Sequence, residues 1–514
     1  MLAKCLPLAD ARLALYFECN VREDLIPAEG LGSPVMDQGA DETRRSLEAA
    51  LSKALDFFDR ASERPVAAAS DLEHLRARLD KPLRAEGLPP ERVVSELVED
   101  VAGGILGSSG GRFFGWVIGS ALPAALSADW LTSCWDQNAA LYACSPAAAV
   151  VEEVAGKWLK DLLGLPPEAS FAFVSGCQMA HTTCLAAARQ ALLARRGWDV
   201  EERGLYGAPA LRVLSSAQRH GSFERAVRLL GLGRSHIVLL PADEGDRLRP
   251  EALEQALKSD LSSPTVVLLQ AGDIHIGAYD DFETLIPVAH RRQAWVHVDG
   301  AFGLWAAASG RHRHLVQGVE EADSWATDGH KWLNVPFDCG YAFVAHPEAH
   351  RRAMSHRAAY IAHHEEARDE IDWNPEWSRR ARGFPTYAAL RQLGRAGLEA
   401  LIDRCCEHAR ALVAGIGRLP GAEVLWEPVI NQGLVRFLDG APGARQEDHD
   451  RRTEEVIAAI LATGEAFFGG STWRGRRAMR VSVCSWRTTA KDVERAVAAV
   501  ERALDALGPR GGNA

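Results

Sequence analysis

From about residue 146 the chain alternates helical segments with short apolar runs, and this alternation constrains the fold more than any other feature. SPAAAVVEEVAGKWLKDLLGL reads as a helix stopped by Pro166-Pro167, and ASFAFVSG as a strand ending in a turn. MAHTTCLAAARQALLARRG is a helix, LRVLSSAQ a strand, and GSFERAVRLLGLG a helix with a glycine end. HIVLLPA, PTVVLLQAG and AWVHVDGA are further strands. Apolar strands separated by helices predict a mostly parallel central sheet with helices on both faces, an α/β fold. After about residue 388 come a long helix, the strand candidates AEVLW, LVRFL and MRVSVCSW, and a closing helix KDVERAVAAVERALDAL. These predict a smaller C-terminal α/β domain.

Ahead of the alternation, residues 1–40 form a loosely patterned extension. From Asp41, a candidate N-cap, DETRRSLEAALSKALDFFDR puts Leu47, Leu51, Leu55 and Phe58 on one helix face. PERVVSELVEDVAGGIL is a second helical segment ending in glycines. The expected domains are therefore an extension (1–40), a helical arm (41–112), a large domain (113–388) and a small one (389–514). The start, MLAKCLPLADARLALYFECN, has the look of a signal peptide, but Asp10 and Arg12 interrupt its apolar run. No stretch has the ~18 uncharged apolar residues a bilayer span needs. With 58 basic against 69 acidic residues the net charge is −11, which gives no footprint for nucleic acid or an anionic membrane. Ten scattered cysteines, without a C-x-x-C pair, fit neither a zinc site nor a secreted disulfide framework. The expectation is a cytoplasmic enzyme with no metal.

Three signals carry chemistry. Asp299 ends the apolar strand of WVHVDGAFG, where open α/β sheets bind ligands; alone, it reads first as a turn or cap residue. Lys331, in ADSWATDGHKWLNVPFDCGYAFV, is either a snorkelling lysine or a buried amine with a lowered pKa serving as nucleophile. In FAFVSGCQMAHTTCLAAAR a strand passes through Ser175-Gly176-Cys177-Gln178 into a helix, whose N-terminal amides suit a phosphate. Together they suggest pyridoxal phosphate, which needs a Schiff-base lysine, a carboxylate facing its pyridine nitrogen and a phosphate cradle.

Beyond about residue 40 the chain resembles the group II pyridoxal-phosphate-dependent decarboxylases, the family of aromatic amino-acid, histidine and glutamate decarboxylases. The resemblance lies in RFFGWVIGSALPAALSADWL, SPAAAVVEEVAGKWL, SGCQMAHTTCLAAAR, HGSFERA, HVDGAFG, ADSWATDGHKWLNVPFDCG and SRRARGFPTYAAL. It implies a fold-type I enzyme with Lys331 as the Schiff-base lysine and Asp299 as the pyridine partner. His220 matches the histidine stacked on the cofactor ring, Ala301 the small residue under its other face, and His330 a residue near the phosphate. Gly176, Cys177 and Gln178 match the phosphate turn, although Gln178 replaces a hydroxyl residue. Ile274 stands where the family often has a cofactor-contacting threonine.

The resemblance also implies the reaction. Tyr360, in the charged stretch 355–378 that suits a mobile lid, matches a tyrosine that protonates Cα after CO2 leaves. Decarboxylation of an L-amino acid to its amine is the expectation. The alternatives are a decarboxylating aldehyde synthase, an aminotransferase or carbon–carbon lyase of the same fold, and a non-catalytic scaffold. His363, His364, Glu365 and Glu366 read as a solvated loop and not as metal ligands. Phe114, Trp116, Val117 and Gly119, with Phe113 and Ile118, resemble the substrate-side wall, which tilts the expectation to an aromatic side chain. Arg112 or the Arg379, Arg380 and Arg382 cluster could instead select an acidic one. A homodimer with shared active sites and interwoven N-terminal helices is the implied assembly.

Overall fold

The computed structural model describes residues 38–356 and 366–508. The chain divides into two compact units. One holds the described residues up to Asp56 together with Arg78–Val101; the other holds Phe57–Ala77 and everything described from Ala102 onward.

In the first unit the helix Gln38–Asp59 carries Asp41 inside its first turn and not at its cap. There the carboxylate pairs with Arg45 one turn later, the spacing at which helical side chains meet. Leu47, Leu51 and Leu55 are about half exposed on this helix, at 49%, 46% and 54%. The helix Pro90–Val101 buries no residue at all.

The second unit is built on a seven-stranded sheet of order β1-β7-β6-β5-β4-β2-β3. Its strands are β1 (Ser170–Val174), β2 (Arg212–Ser216), β3 (Ile237–Leu240), β4 (Thr265–Gln270), β5 (Trp295–Asp299), β6 (Ser324–Asp328) and β7 (Gly340–Val344). The predicted strands are all present. β7 is the departure: it runs antiparallel to both β1 and β6, inserted between them. Strand alternation divides the interior in two. Phe171, Phe173, Val267, Leu269, Val296 and Val298 face one core, packed by the helices Pro146–Leu162, Phe282–His290 and Gly383–Gly417. Ala172, Val174, Val266, Leu268 and Trp295 face the other, packed by Cys177–Ala194 and Gly221–Leu229. Both faces are covered, so the central strands β4, β5 and β6 are buried along their whole length.

The smaller sheet is antiparallel, of order β10-β11-β9-β8. It comprises β8 (Ala422–Trp426), β9 (Gln432–Phe437), β10 (Gly469–Trp473) and β11 (Arg476–Ser482). β10 has no apolar pattern in the sequence, because GGSTW is an edge strand with only Trp473 buried. The long helix begins at Gly383, earlier than its periodicity predicts, and breaks at Gly394 (φ 58°, ψ −174°). Its residues join the core that also takes Val435, Phe437, Met479 and Val481, so one apolar interior binds both sheets.

Candidate active site

β1, β5 and β6 all run the same way, so their C-terminal ends lie at one edge of the sheet, where doubly wound folds place their sites. Register brings two of those ends together. Val174 pairs with Gly340 on one side of β7, and Asp328 pairs with Gly340 on the other. A Cβ on Gly340 would stand 2.5 Å from Gly176 Cα, so only glycine allows the turn after β1 to close over it. As a result the first helical amide, Cys177 N–H, donates to Asp328 Oδ1 at 2.6 Å.

Asp328 was not among the sequence candidates. Besides capping that helix, its Oδ2 lies 3.1 Å from Lys331 Nζ and 3.7 Å from His330 Nε2. Burial works to lower the Lys331 pKa, but the charges of Asp328 and Asp299 outweigh it and the net shift is upward. The free lysine is thus a paired ammonium, not the low-pKa amine the sequence offered as one option. The signal was available: Asp328 precedes Lys331 by three residues, at the end of the same strand.

Asp299 is buried, and burial pushes its pKa up. The charge of His181 beside it overrides this, with His220 and Lys331 adding to it, and the carboxyl stays well below the usual range. His181 Nε2 lies 3.5 Å from Asp299 Oδ2, and Ala301 N–H donates to Oδ1 at 3.2 Å. His181 also escaped the sequence reading, although it lies five residues beyond Gly176 on the helix that opens at the site.

His220 caps the helix Gly221–Leu229, its Nδ1 accepting Ser222 N–H at 3.2 Å. Its pKa is lowered, by burial first and by Lys331, against the pull of Asp299. His330 stacks on Phe337 at 4.4 Å, and its Nδ1 accepts Cys339 N–H at 3.2 Å, which leaves Nε2 as the donor. The Cys177 thiol is pushed well up by burial and by the neighbouring carboxylates. Cys177, His181 and Asp299 offer ligand atoms within 4.8 Å of one another, but a neutral thiol beside the Lys331 ammonium is poor company for a metal cation.

The aromatic loop is fastened to the lysine turn. Ser120 N–H donates to Asn334 Oδ1 at 3.0 Å and Leu122 N–H to Asn334 O at 2.8 Å. A Cβ on Gly119 would meet Lys331 O at 2.0 Å, so Gly119 serves this close approach. Trp116 and Val117 both have positive φ, 54° and 73°, an uncommon backbone for bulky residues that this fastening holds. Phe114 is fully buried against Phe468 and Val117 is buried, whereas Trp116 is 53% exposed beside Phe113 and Phe467. Of the predicted wall, Trp116 is the side chain left open.

The basic candidates are committed elsewhere. Arg379 is locked on Glu152 by two 2.9 Å contacts. Arg380 holds Asp129 and Arg382 holds Asp338. Arg112 is spent on Glu465 and the carbonyls of Ser62 and Arg64. A different arginine, Arg480 on β11, is buried, donates to Ile274 O at 2.8 Å and acts on the pKa of His220. Tyr360, with His363, His364 and Glu365, lies outside the described residues.

An amine, a carboxylate that burial has not neutralised and a helix N-terminus on neighbouring strand ends suit pyridoxal phosphate. Residues 73–438 match the family described as the pyridoxal-dependent decarboxylase conserved domain. The chain belongs to the pyridoxal-dependent decarboxylase family. Its cofactor is pyridoxal phosphate and its reaction the decarboxylation of an amino acid. It is 26% identical over 461 residues to an aromatic-L-amino-acid decarboxylase of Bacillus atrophaeus, covering 88% of this chain and 94% of that one. It is 28% identical over 425 residues to the acidic amino acid decarboxylase GADL1 of Bos taurus, covering 79% of each. Among solved structures, the Oryza sativa TDC with PLP and tryptamine superposes with a TM-score of 0.86 at 26% identity, covering 93% of this chain and all of that one.

Proposed function

We propose that this family member decarboxylates an aromatic L-amino acid to the amine and CO2. The supporting observation is the contrast between the candidate selectors: Arg112, Arg379, Arg380 and Arg382 are held by protein partners, while Trp116 stands open beside Phe113 and Phe467. A side chain entering there meets aromatic faces, with ring–ring contact as the source of selectivity. An acidic substrate is the second reading, and Arg480 favours it: its guanidinium is buried, donates to Ile274 O and lies near enough to His220 to act on its charge.

The residues we assign to the cofactor are Lys331, Asp299, His220, Ala301, His330 and the Gly176-Cys177-Gln178 turn. The chemistry that bound pyridoxal phosphate supplies is an electron sink for the pair left when the Cα–carboxylate bond breaks. Asp299 is held ionised, as a partner for a protonated ring nitrogen must be. Lys331 has to lose a proton before it can bond to carbon, and Asp328 Oδ2, 3.1 Å from Nζ, is placed to take it. His220 caps its helix from the mouth of the site, and we assign it the ring face opposite Ala301. Tyr360 is proposed as the proton donor to Cα. With residues 41–112 as its arm, the protein is proposed to act as a cytoplasmic homodimer; the half-exposed leucine row at 47, 51 and 55 offers a second copy its apolar face. Among the described residues no helix is long and apolar enough to cross a membrane.

Mass spectrometry of products from cofactor-loaded protein, given a panel of aromatic and acidic amino acids, tests this reading. Amine and CO2 from aromatic members are expected. Turnover confined to acidic members selects the second reading, and keto acid or aldehyde as main product overturns the assigned reaction.

A further inference from the structure

Behind Asp299 a buried polar chain runs through His181 to Trp295. Trp295 Nε1–H donates to Ser324 Oγ at 2.8 Å, and Ser324 Oγ lies 2.9 Å from His297 Nδ1. His297 Nε2 lies 2.9 Å from His181 Nδ1, and His181 Nε2 faces Asp299 Oδ2 at 3.5 Å. His181, His297 and Ser324 have no solvent exposure, and His181 Nε2 is buried with no hydrogen-bond partner. Secondary structure builds the chain. His297 and Asp299 share one face of β5, Ser324 pairs with His297 in register on β6, and His181 comes down from the helix that opens at the site. Phe223 seals it, stacked on His297 at 6.0 Å and edge-on to His181 at 5.7 Å.

The carboxylate end fixes which nitrogen of His181 must carry a proton. An ionised carboxylate only accepts and an indole N–H only donates. With His181 neutral, its Nε2 carries the proton toward Asp299, its Nδ1 accepts from His297 Nε2–H, and His297 Nδ1 accepts from the Ser324 hydroxyl, which accepts from Trp295. With His181 cationic, both its nitrogens donate, His297 takes the other tautomer, and Ser324 Oγ accepts from both neighbours. Either state aims an N–H at Asp299. The excluded state is the one that would set a ring lone pair against the carboxylate.

We propose that His181 is a positioning residue, held in its donating state by His297 and Ser324, which keeps Asp299 ionised and oriented toward the cofactor's ring nitrogen. This rests on the assignment of Asp299 to that nitrogen. The groups facing His181 are Asp299 and His297 on β5, Cys177 on its own helix and His220 at the mouth of the site; burial holds His297 neutral, with a pKa of about 3.

The test compares wild type, His181→Leu, His181→Gln and Ser324→Ala for the dissociation constant of pyridoxal phosphate and for the pH at which the visible band of the bound cofactor changes. His181→Leu is expected to weaken cofactor binding about tenfold, what a shift of one pKa unit at the facing carboxylate is worth, and to move the band's midpoint. His181→Gln, which keeps an acceptor and an N–H donor, is expected to restore most of the affinity. Ser324→Ala, remote from Asp299, is expected to weaken binding a few-fold and to move the midpoint in the same direction. Unchanged cofactor affinity and midpoint in His181→Leu, with only a lower melting temperature, overturns the proposal. If His181→Leu does not fold, unchanged values in Ser324→Ala overturn it equally. Wild type that fails to bind the cofactor overturns the functional reading itself, a result distinct from variants that match a competent wild type.

Discussion

Two groups of buried charges lie in the large unit, and they are built differently. Around Glu152 each guanidinium meets a carboxylate, and of the Arg379 guanidinium only Nε is left without a partner. Arg379 makes a two-pronged contact with Glu152 and adds bonds to Ala139 O at 2.9 Å and Phe173 O at 2.7 Å. Arg368 pairs with Glu370 at 3.2 Å and lies over the rings of Phe171 and Trp373. Around Asp299 the matching is incomplete: Lys331 has one close carboxylate, Asp299 receives one backbone amide at 3.2 Å, and His181 Nε2 has none. Burying charge is costly in both places. In the first the cost is offset by mutual pairing, which fixes structure; in the second it leaves bonding capacity for what enters. That difference separates a buried ionic scaffold from a site more sharply than burial or pKa shifts do.

Breaking the site side should give the largest effect. Lys331→Ala is expected to abolish turnover and covalent cofactor retention while the protein stays folded, as judged by product assay and circular dichroism. Asp299→Asn, with its charge gone, is expected to cost roughly a hundredfold or more in kcat, as loss of a positioned electrostatic partner does elsewhere. On the scaffold side, Arg379→Met leaves Glu152 buried without its partner. It is expected to lower stability by about 3–5 kcal/mol in denaturant titration, with cofactor binding retained by the folded fraction.

The smallest effect sharpens the comparison through pH. His350, on the scaffold side, is fully buried between Ser170 Oγ at 2.9 Å and Trp373 O at 2.8 Å, and burial lowers its pKa to about 3. Unfolded, it binds a proton below about 6.5, so the unfolded state holds more protons and stability falls as pH drops from about 6.5 toward 3. His350→Gln should lessen that slope without altering the pH profile of turnover. A changed turnover profile would show that the two groups are not separate.

Much of this was legible in the sequence, and what was missed has a common cause. The alternation of helices and apolar runs predicted the main sheet because each strand's local pattern reports its own burial. Asp299 and Lys331 could be found because each follows a strand end. β7 escaped notice as an antiparallel insertion, since nothing local to GYAFV records the direction of its neighbours. The commitments of the candidate arginines are illegible for the same reason: the partner of Arg379 is Glu152, 227 residues away. His181 and Asp328 sit within motifs already singled out, yet their meaning depends on contacts with β5 and with the helix after β1.

The most direct test of the account is to reduce the cofactor-loaded protein with borohydride, digest it and locate the cofactor mass by peptide sequencing. The account predicts the added mass on Lys331 alone. Mass on another lysine, or none on any, would contradict it.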